Sequence, residues 1–465
     1  QVSTYEDVET SIEAMAGGKV RVLTTGNVVI YEETAGSSGA AKLIPYTRES
    51  LSAFRRAVYP WIANLLRERP ALMKGRSYWA LSPVSRARRT TPDDTPVGMA
   101  SDADYLEPSL TRVFGQLSVV PAAVGAVRNP DDWRYLTLRC LMAARDLTFI
   151  SIWSPTFLFP LLEALVQHSQ RLIADIERGS VDVNLPNSGE LRADTFRPDP
   201  ARAAELAAAI SGADLETAHL WPALDTISCW TSGSAHQFVG RLRASFPDVW
   251  MQGKGLMATE GVVTIPMVPF DYPVLAINSG FFEFLDCAGR SRLCHELSVN
   301  ESYRVVMTTH GGLYRYDLGD RVRMRGWARS TPMLEFTGRA GVVSDLCGEK
   351  LSDDFVQSAL PEDLGFTMLA PSLAGGAHYV LFLDALQCDR QSADVLSRQV
   401  DQSLQANPQY HYARKLGQLG EVVALRVLNP MERFTDAAVA DGQRLAVVKP
   451  PALRQETDWE MRFSA

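Results

Sequence analysis

The stretch "EETAGSSGAAKLIPYT", residues 32–47, places Thr34, Gly36, Ser37, Ser38, Gly39 and Lys42 within nine residues. Backbone N–H groups in a Gly/Ser turn form a nest for an anion. Glycine admits positive φ and lets the backbone approach a ligand closely. The hydroxyls add donors and Lys42 adds charge. The kinase-type phosphate loop needs GxxxxGK followed by Ser or Thr. Here Gly36, Gly39 and Lys42 are followed by Leu43, which excludes that motif. What remains is T-A-G-S-S-G-x-x-K, with a plain surface turn as the competing reading. Upstream, "VVIYEET" (residues 28–34) reads as a strand entering the loop. Downstream a helix is expected from about Thr47, because Leu51, Phe54, Val58, Ile62 and Leu65 recur at three- and four-residue steps.

Outward from this loop, strand-like and helix-like runs alternate, which predicts an α/β protein. The 465 residues carry 46% apolar and 22% charged side chains, enough for two or three domains with a large core. A net charge of −8 argues against a nucleic-acid partner. Cys140, Cys229, Cys287, Cys294, Cys347 and Cys388 form no CxxC, which suits a reduced, cytoplasmic protein. The seven histidines form no HExxH, so no transition-metal site is expected. The start at Gln1 suggests a removed or missing N-terminal piece, and no signal peptide is visible. The most apolar stretch, residues 149–166, is broken by Pro155, Pro160 and Glu163. It is too short to span a bilayer and is expected to be a buried helix.

Residues 83–98, rich in Pro, Ser, Thr and Arg, read as a surface loop. Residues 107–225 read as mostly helical, with Pro155 opening one helix and Leu158, Leu161, Leu162 and Leu165 facing inward. Strands return with "VVTIPMV", "YRVVMTT" and "RVRMRGW". After "FTGRAG" the rhythm changes. A helix at 352–360, a strand "HYVLFLDAL", a helix at 390–404 and a strand "EVVALRVL" predict a small βαβ-type domain. The boundary is placed near Gly338, giving a large domain 1–338 and a small domain 339–465.

Four further elements carry chemistry, each with an ordinary reading beside it. "GLMATEG" sets Ala258 and Thr259 beside Glu260, a carboxylate able to hold Mg²⁺ or merely a solvated pair. "GLYRYDLGDRV" ends on Asp320, whose two oxygens suit a ribose diol, or which marks a turn between strands. "FTGRAG" flanks Arg339 with Gly338 and Gly341, a hinge composition or an ordinary linker. "GQRLAVVKPPALR" fixes Lys449 before two prolines, a directed lysine or a tail residue.

The order of these elements resembles the adenylate-forming acyl-activating superfamily. "KLIPYT", "PVGMASDADYL", "LDTISCWTSGSAHQFVGRLRASFP", "TTHGGLYRYDLGD" and "GEKLSDDFV" narrow the resemblance to the Gretchen Hagen family of auxin-responsive acyl acid–amido synthetases, in its bacterial type. The resemblance spans nearly the whole chain. It implies a large adenylate-forming domain with mixed sheets and helices plus a small mobile C-terminal α/β domain. It implies an ATP- and Mg²⁺-dependent ligase joining a carboxylic acid to an amine, usually an amino acid, through an acyl-AMP. Ser37, Ser38 and Gly39 would cradle the phosphates, with Thr34 and Lys42 at the loop's ends. Ser232, Gly233 and Ser234 would lie near the adenine and acyl pocket. Thr259 would meet the α-phosphate, Glu260 would ligate Mg²⁺, and Asp320 would hold the ribose with Arg339 nearby. Lys449 would swing toward the adenylate. Trp153, Phe157 and Leu161 are candidates to line the acyl pocket.

The chain departs from the family pattern at three places. Leu256 and Met257 stand where an aromatic is usual. Asp317 replaces an arginine beside Asp320, so that two carboxylates raise one pKa or Arg315 compensates. The phosphate loop is one residue shorter than in the plant enzymes, closer to the wider superfamily. A ligase passing the acyl group to coenzyme A or a carrier thiol, and a catalytically silent homologue, are the alternative readings. Neither the acid, the amine nor the oligomeric state is fixed by the sequence.

Overall fold

The computed structural model describes the chain apart from residues 34–41, 81–88, 100–104, 128, 182, 184–195, 211–216, 340–342, 348, 362–363, 416–417, 442, 444, 446–447 and 465. Strand Val28–Glu33 pairs antiparallel with Leu43–Thr47, with Glu33 opposite Leu43, so the quoted stretch is carried by a hairpin. Thr47 then caps the helix Arg48–Glu68, its hydroxyl accepting from the Ser50 N–H at 3.1 Å. The expected start of that helix stands.

The stretch 149–166, expected to be one buried helix, is divided. Leu147–Ser151 is a fully buried strand, Pro155–Phe157 is a 3₁₀ turn, and the helix runs Leu158–Arg178. A short continuous apolar run does not distinguish a buried strand from a buried helix, and Pro155 stops the one and opens the other.

That strand belongs to a four-stranded sheet in the order Arg76–Trp79, Leu147–Ser151, Thr226–Cys229, Trp250–Gly253, parallel throughout. Its core takes in Trp133, Leu136, Leu141, Leu165, Leu172 and Ile176 from flanking helices. Every residue of "LTFIS" and "TISC" is buried, the Thr and Ser side chains included, so neither strand has a solvent-facing side.

A second, seven-stranded antiparallel sheet holds Ser302–Thr308, Tyr316–Ala328 and Thr331–Arg339 at its centre. Its core packs against Tyr5, Val8 and Ile12 of the helix Tyr5–Ala16 and against Tyr31, Ile44 and Tyr46 of the first hairpin.

Beyond Arg339 a smaller unit is built on three strands, Thr367–Ser372, His378–Asp384 and Val423–Val427. The last two are parallel, with the helix Arg390–Leu404 between them in the chain. The βαβ expectation stands, with the strand Thr367–Ser372 added on one edge. Among the described residues no helix is long and apolar enough to cross a membrane.

Candidate active site

The four parallel strands end along one edge. Trp79 closes the first, Trp153 lies two residues past the second, Trp230 directly follows the third, and Lys254 directly follows the fourth. Ligands of α/β sheets bind outside the carboxyl ends of parallel strands. The Trp153 and Trp230 rings stand 5.6 Å apart. Lys449, from the C-terminal unit, holds its ammonium 4.8 Å from the Trp230 ring centre and 5.4 Å from that of Phe336. The neighbouring Val448 carbonyl accepts from the Thr156 hydroxyl at 3.3 Å, tying this segment to the turn before the helix Leu158–Arg178.

Of the expected pocket-lining residues, Trp153 is half-buried at this edge. Phe157 and Leu161 lie in the large core, Phe157 packing edge-on against Trp133 at 5.6 Å. Cys229, at the end of the third strand, has its thiol pushed up to about 12 by burial, so it is not a thiolate nucleophile at neutral pH.

Gly233 sits beside Phe336. Its φ is +60°, and a Cβ there would come within 2.9 Å of the Phe336 ring. Both the backbone conformation and the space require glycine. Ser232 precedes it in extended conformation, starting the 3₁₀ turn Gly233–Phe238.

Thr259 and Glu260 are the two loop residues of a short hairpin, Met257–Ala258 against Gly261–Val262. The Thr259 carbonyl accepts a 2.7 Å hydrogen bond from the phenol of Tyr46, a residue of the quoted stretch. Burial, and then the nearby carboxylates of Glu32 and Glu260, push the Tyr46 phenol well above its ordinary pKa and keep it a donor. The chain thus binds the Thr-Glu turn to the strand that leaves residues 34–41. Glu260 is 8% exposed, unlike a solvated surface pair. Leu256 and Met257, at the place of the usual aromatic, pack on the adjoining cores.

Asp320 lies on the buried face of Tyr316–Ala328, in alternation with Tyr316, Leu318, Val322 and Met324. Across the ladder its register partner is Arg339, the last residue of the neighbouring strand. A carboxylate on the core face of a sheet, 5% exposed, is not a simple turn residue. Asp317 is compensated, but not by Arg315. Arg315 forms a two-armed bond with Glu283 at 2.8 and 2.9 Å, and Arg304 on the adjacent strand pairs with Asp317 at 3.0 Å. Strand register decides this, since Arg304 and Asp317 belong to paired strands. Sequence adjacency does not.

Lys42 lies toward the helix Tyr5–Ala16, 3.5 Å from the Glu6 carboxylate and 4.9 Å from the Tyr5 ring centre. Thr34, Ser37, Ser38 and Gly39 fall outside the described residues, as do the side chains of Ser234 and Arg339. Among the described residues no group of three or more His, Cys, Asp or Glu side chains is placed to hold a metal. A single buried carboxylate such as Glu260 suits Mg²⁺, whose other positions go to phosphate oxygens and water.

Tyr46, Trp79, Trp230, Lys254, Arg304 and Phe336 were not legible as site residues. One signal was present: the strand-like runs "RSYW", "TFISIW", "TISCW" and "WMQGK" each end on Trp or Lys.

Residues 1–251 match the GH3 family N-terminal domain, and residues 273–339 the GH3 family central domain. The chain belongs to the GH3 family. Among GH3 relatives, the probable indole-3-acetic acid-amido synthetase GH3.1 of Arabidopsis thaliana is 24% identical over 97% of this chain and 82% of its own length. The jasmonoyl–L-amino acid synthetase JAR6 of Nicotiana attenuata is 23% identical over 82% of this chain and 71% of its own. The solved AtGH3.15 acyl acid amido synthetase, in complex with 2,4-DB, matches all of this chain and 86% of its own, with a TM-score of 0.86 at 20% identity. A 2-hydroxyisobutyryl-CoA ligase in the postadenylation state matches with a TM-score of 0.55 at 10% identity. The GH3 fold here is therefore the adenylate-forming one, with a large N-terminal and a smaller C-terminal domain.

Proposed function

We infer that this chain is an ATP-dependent acyl acid amido synthetase that joins a carboxylic acid to the amine of an amino acid. The observation that carries the reading is the place of Lys449. A lysine from the C-terminal unit meets Trp230 and Phe336 at the carboxyl edge of the parallel sheet, where Trp230 in turn packs against Trp153. Gly233 packs at the same phenylalanine.

In the first step a carboxylate oxygen of the acid attacks the α-phosphorus of ATP, and the bond to pyrophosphate breaks. In the second, the amine nitrogen attacks the activated carbonyl, AMP leaves, and the amine proton passes to water. The protein's work is alignment of the two substrates and stabilisation of charge developing at the α-phosphate. Lys449 is assigned that charge and Thr259 the α-phosphate. Glu260 is assigned to Mg²⁺, which would screen the phosphate charge. Asp320, with Arg339 opposite, is assigned to the ribose. Ser37, Ser38 and Gly39, between Thr34 and Lys42, are assigned to the phosphates. Ser232, Gly233 and Ser234 take the adenine side, and Ala258 positions the Thr-Glu turn. The unit 339–465 is proposed to move about a hinge at Gly338. There φ is +143°, and a Cβ would meet the Asp354 carboxylate at 1.8 Å.

Acid-dependent exchange of pyrophosphate into ATP, over a broad acid panel, tests the first step. Supplying amino acids and then coenzyme A with the best acid tests the second. Amide without thioester supports the reading, and thioester alone overturns it in favour of the ligase alternative. A wild type without exchange across the panel marks a silent homologue.

A further inference from the structure

Three cationic side chains are buried among the described residues: Arg139, Arg202 and Lys254. The two arginines act as clamps on backbone carbonyls. Arg139 donates to the Asp175 carbonyl at 3.1 Å, and Arg202 to the Met142 carbonyl at 2.9 Å. Lys254 is placed differently. Its ammonium stands 4.8, 5.1 and 5.7 Å from the ring centres of Trp153, Trp61 and Trp79, and donates to the Ser151 hydroxyl at 2.8 Å. Trp61 is itself fixed by a 3.0 Å bond from its indole N–H to Gln252. Ring faces stabilise an ammonium by their quadrupoles, and this cage holds the charge in one position. That position is the carboxyl edge of the parallel sheet, where Trp79 and Trp153 are both partly exposed.

Lys254 and Lys449 are separated by the Trp153–Trp230 pair, one ammonium on each ring. If Lys449 marks the reacting carboxylate, Lys254 marks the far end of an acyl group lying along the two indoles. We propose that Lys254 is a specificity-determining residue of the acyl pocket, receiving an electron-rich oxygen at the end of the acid remote from the activated carboxylate. The acids selected are aryl acids with a distal carboxylate or hydroxyl. A fixed cation in a site walled by indoles attracts such an oxygen far more strongly than it would in water. An unsubstituted hydrocarbon end offers the ammonium no acceptor.

This assignment rests on the amido synthetase reading, and one experiment separates the two. Pyrophosphate exchange is measured with phenylacetate and 3-phenylpropionate, each unsubstituted, para-hydroxylated and para-carboxylated. Wild type is expected to prefer one substituted form over its parent by about tenfold or more in kcat/KM, mainly through KM. In Lys254→Met and Lys254→Gln the ratio should fall to about one, and Lys254→Arg should keep part of it. Because the ratio compares acids on one preparation, partial misfolding does not mimic the result. Hydroxyl and carboxylate forms tell which oxygen is taken. Exchange without any preference in wild type, or a preference that survives both neutral variants, overturns the assignment while sparing the proposed function. No exchange with any acid overturns both.

Discussion

The ammonium of Lys449 stands 4.8 Å from the centre of the Trp230 ring, joining the C-terminal unit to the end of the third parallel strand. A lysine held on an indole face is already oriented, so little is lost in ordering it for reaction. Lys449→Ala should reduce acid-dependent pyrophosphate exchange by about a hundredfold or more, the scale of a lost charge stabiliser. Formation of amide from chemically supplied acyl-AMP should fall far less. Equal losses in both half-reactions would contradict the role in activation.

Glu260 and Asp320 are both largely buried carboxylates, one on a hairpin turn and one on the core face of a strand. Glu260→Ala and Asp320→Ala should each abolish exchange. For Glu260→Ala, raised Mg²⁺ should restore part of the rate, while for Asp320→Ala only raised ATP should. Titrations of exchange against each ligand check this, and unchanged exchange in either variant removes that residue from the site.

Arg304 pairs with Asp317 at 3.0 Å on the strand that also carries Asp320. Both partners are partly open to solvent, so the pair contributes only about 1 kcal/mol, a factor of about five. Arg304→Ala should weaken ATP binding by roughly that factor, with little change in thermal stability. Adding Asp317→Asn should recover it. Nucleotide titration by calorimetry would decide, and a double variant weaker than the single one would refute the coupling.

Asp353 opens the short helix Asp353–Ala359, and its carboxylate accepts from the Leu453 N–H at 2.8 Å. Burial first, and then Asp354, raise its pKa above the ordinary value of 3.8, against the lowering effects of the Leu453 N–H and Lys449. The folded state therefore holds this proton more tightly than the unfolded chain. The resulting penalty is full above the raised folded pKa and is relieved as pH falls through it toward the unfolded value. Asp353→Asn keeps an acceptor for Leu453 and removes the charge. It should melt higher than wild type at pH 7, by an amount that shrinks as the carboxylate range is entered. Melting curves across pH test this, and a difference growing toward acid would reverse the sign.

Much of the fold was legible. The apolar spacing in residues 51–65 located the helix Arg48–Glu68, which Thr47 caps in the structure. The run 390–404 located the helix Arg390–Leu404 with its Asp389 cap, whose carboxylate accepts from the Ser392 N–H at 2.7 Å. Both are set by periodicity and by a local hydrogen bond. The strand Leu147–Ser151 was hidden inside an apolar run because burial on both faces erases the alternation that identifies a strand. The Thr-Glu turn, Asp320 and Lys449 were singled out by motif order alone. Tyr46 and Phe336 were not singled out, since nothing local in the chain distinguishes them from ordinary core and surface residues, and Lys254 was marked only by the Trp or Lys that ends each strand-like run.

The sequence by itself determined the family, the alternation of strands and helices, and the order of the chemistry-bearing elements. These properties live in spacing, capping and composition over a few residues at a time. The tertiary structure decided which charges meet. Arg304 rather than Arg315 answers Asp317, Tyr46 holds the Thr-Glu turn, and three tryptophans enclose Lys254. Each of these contacts joins residues on different elements of the fold. Each depends on strand register and on which edge of a sheet the connections reach, and both are fixed only when the sheets close on their cores.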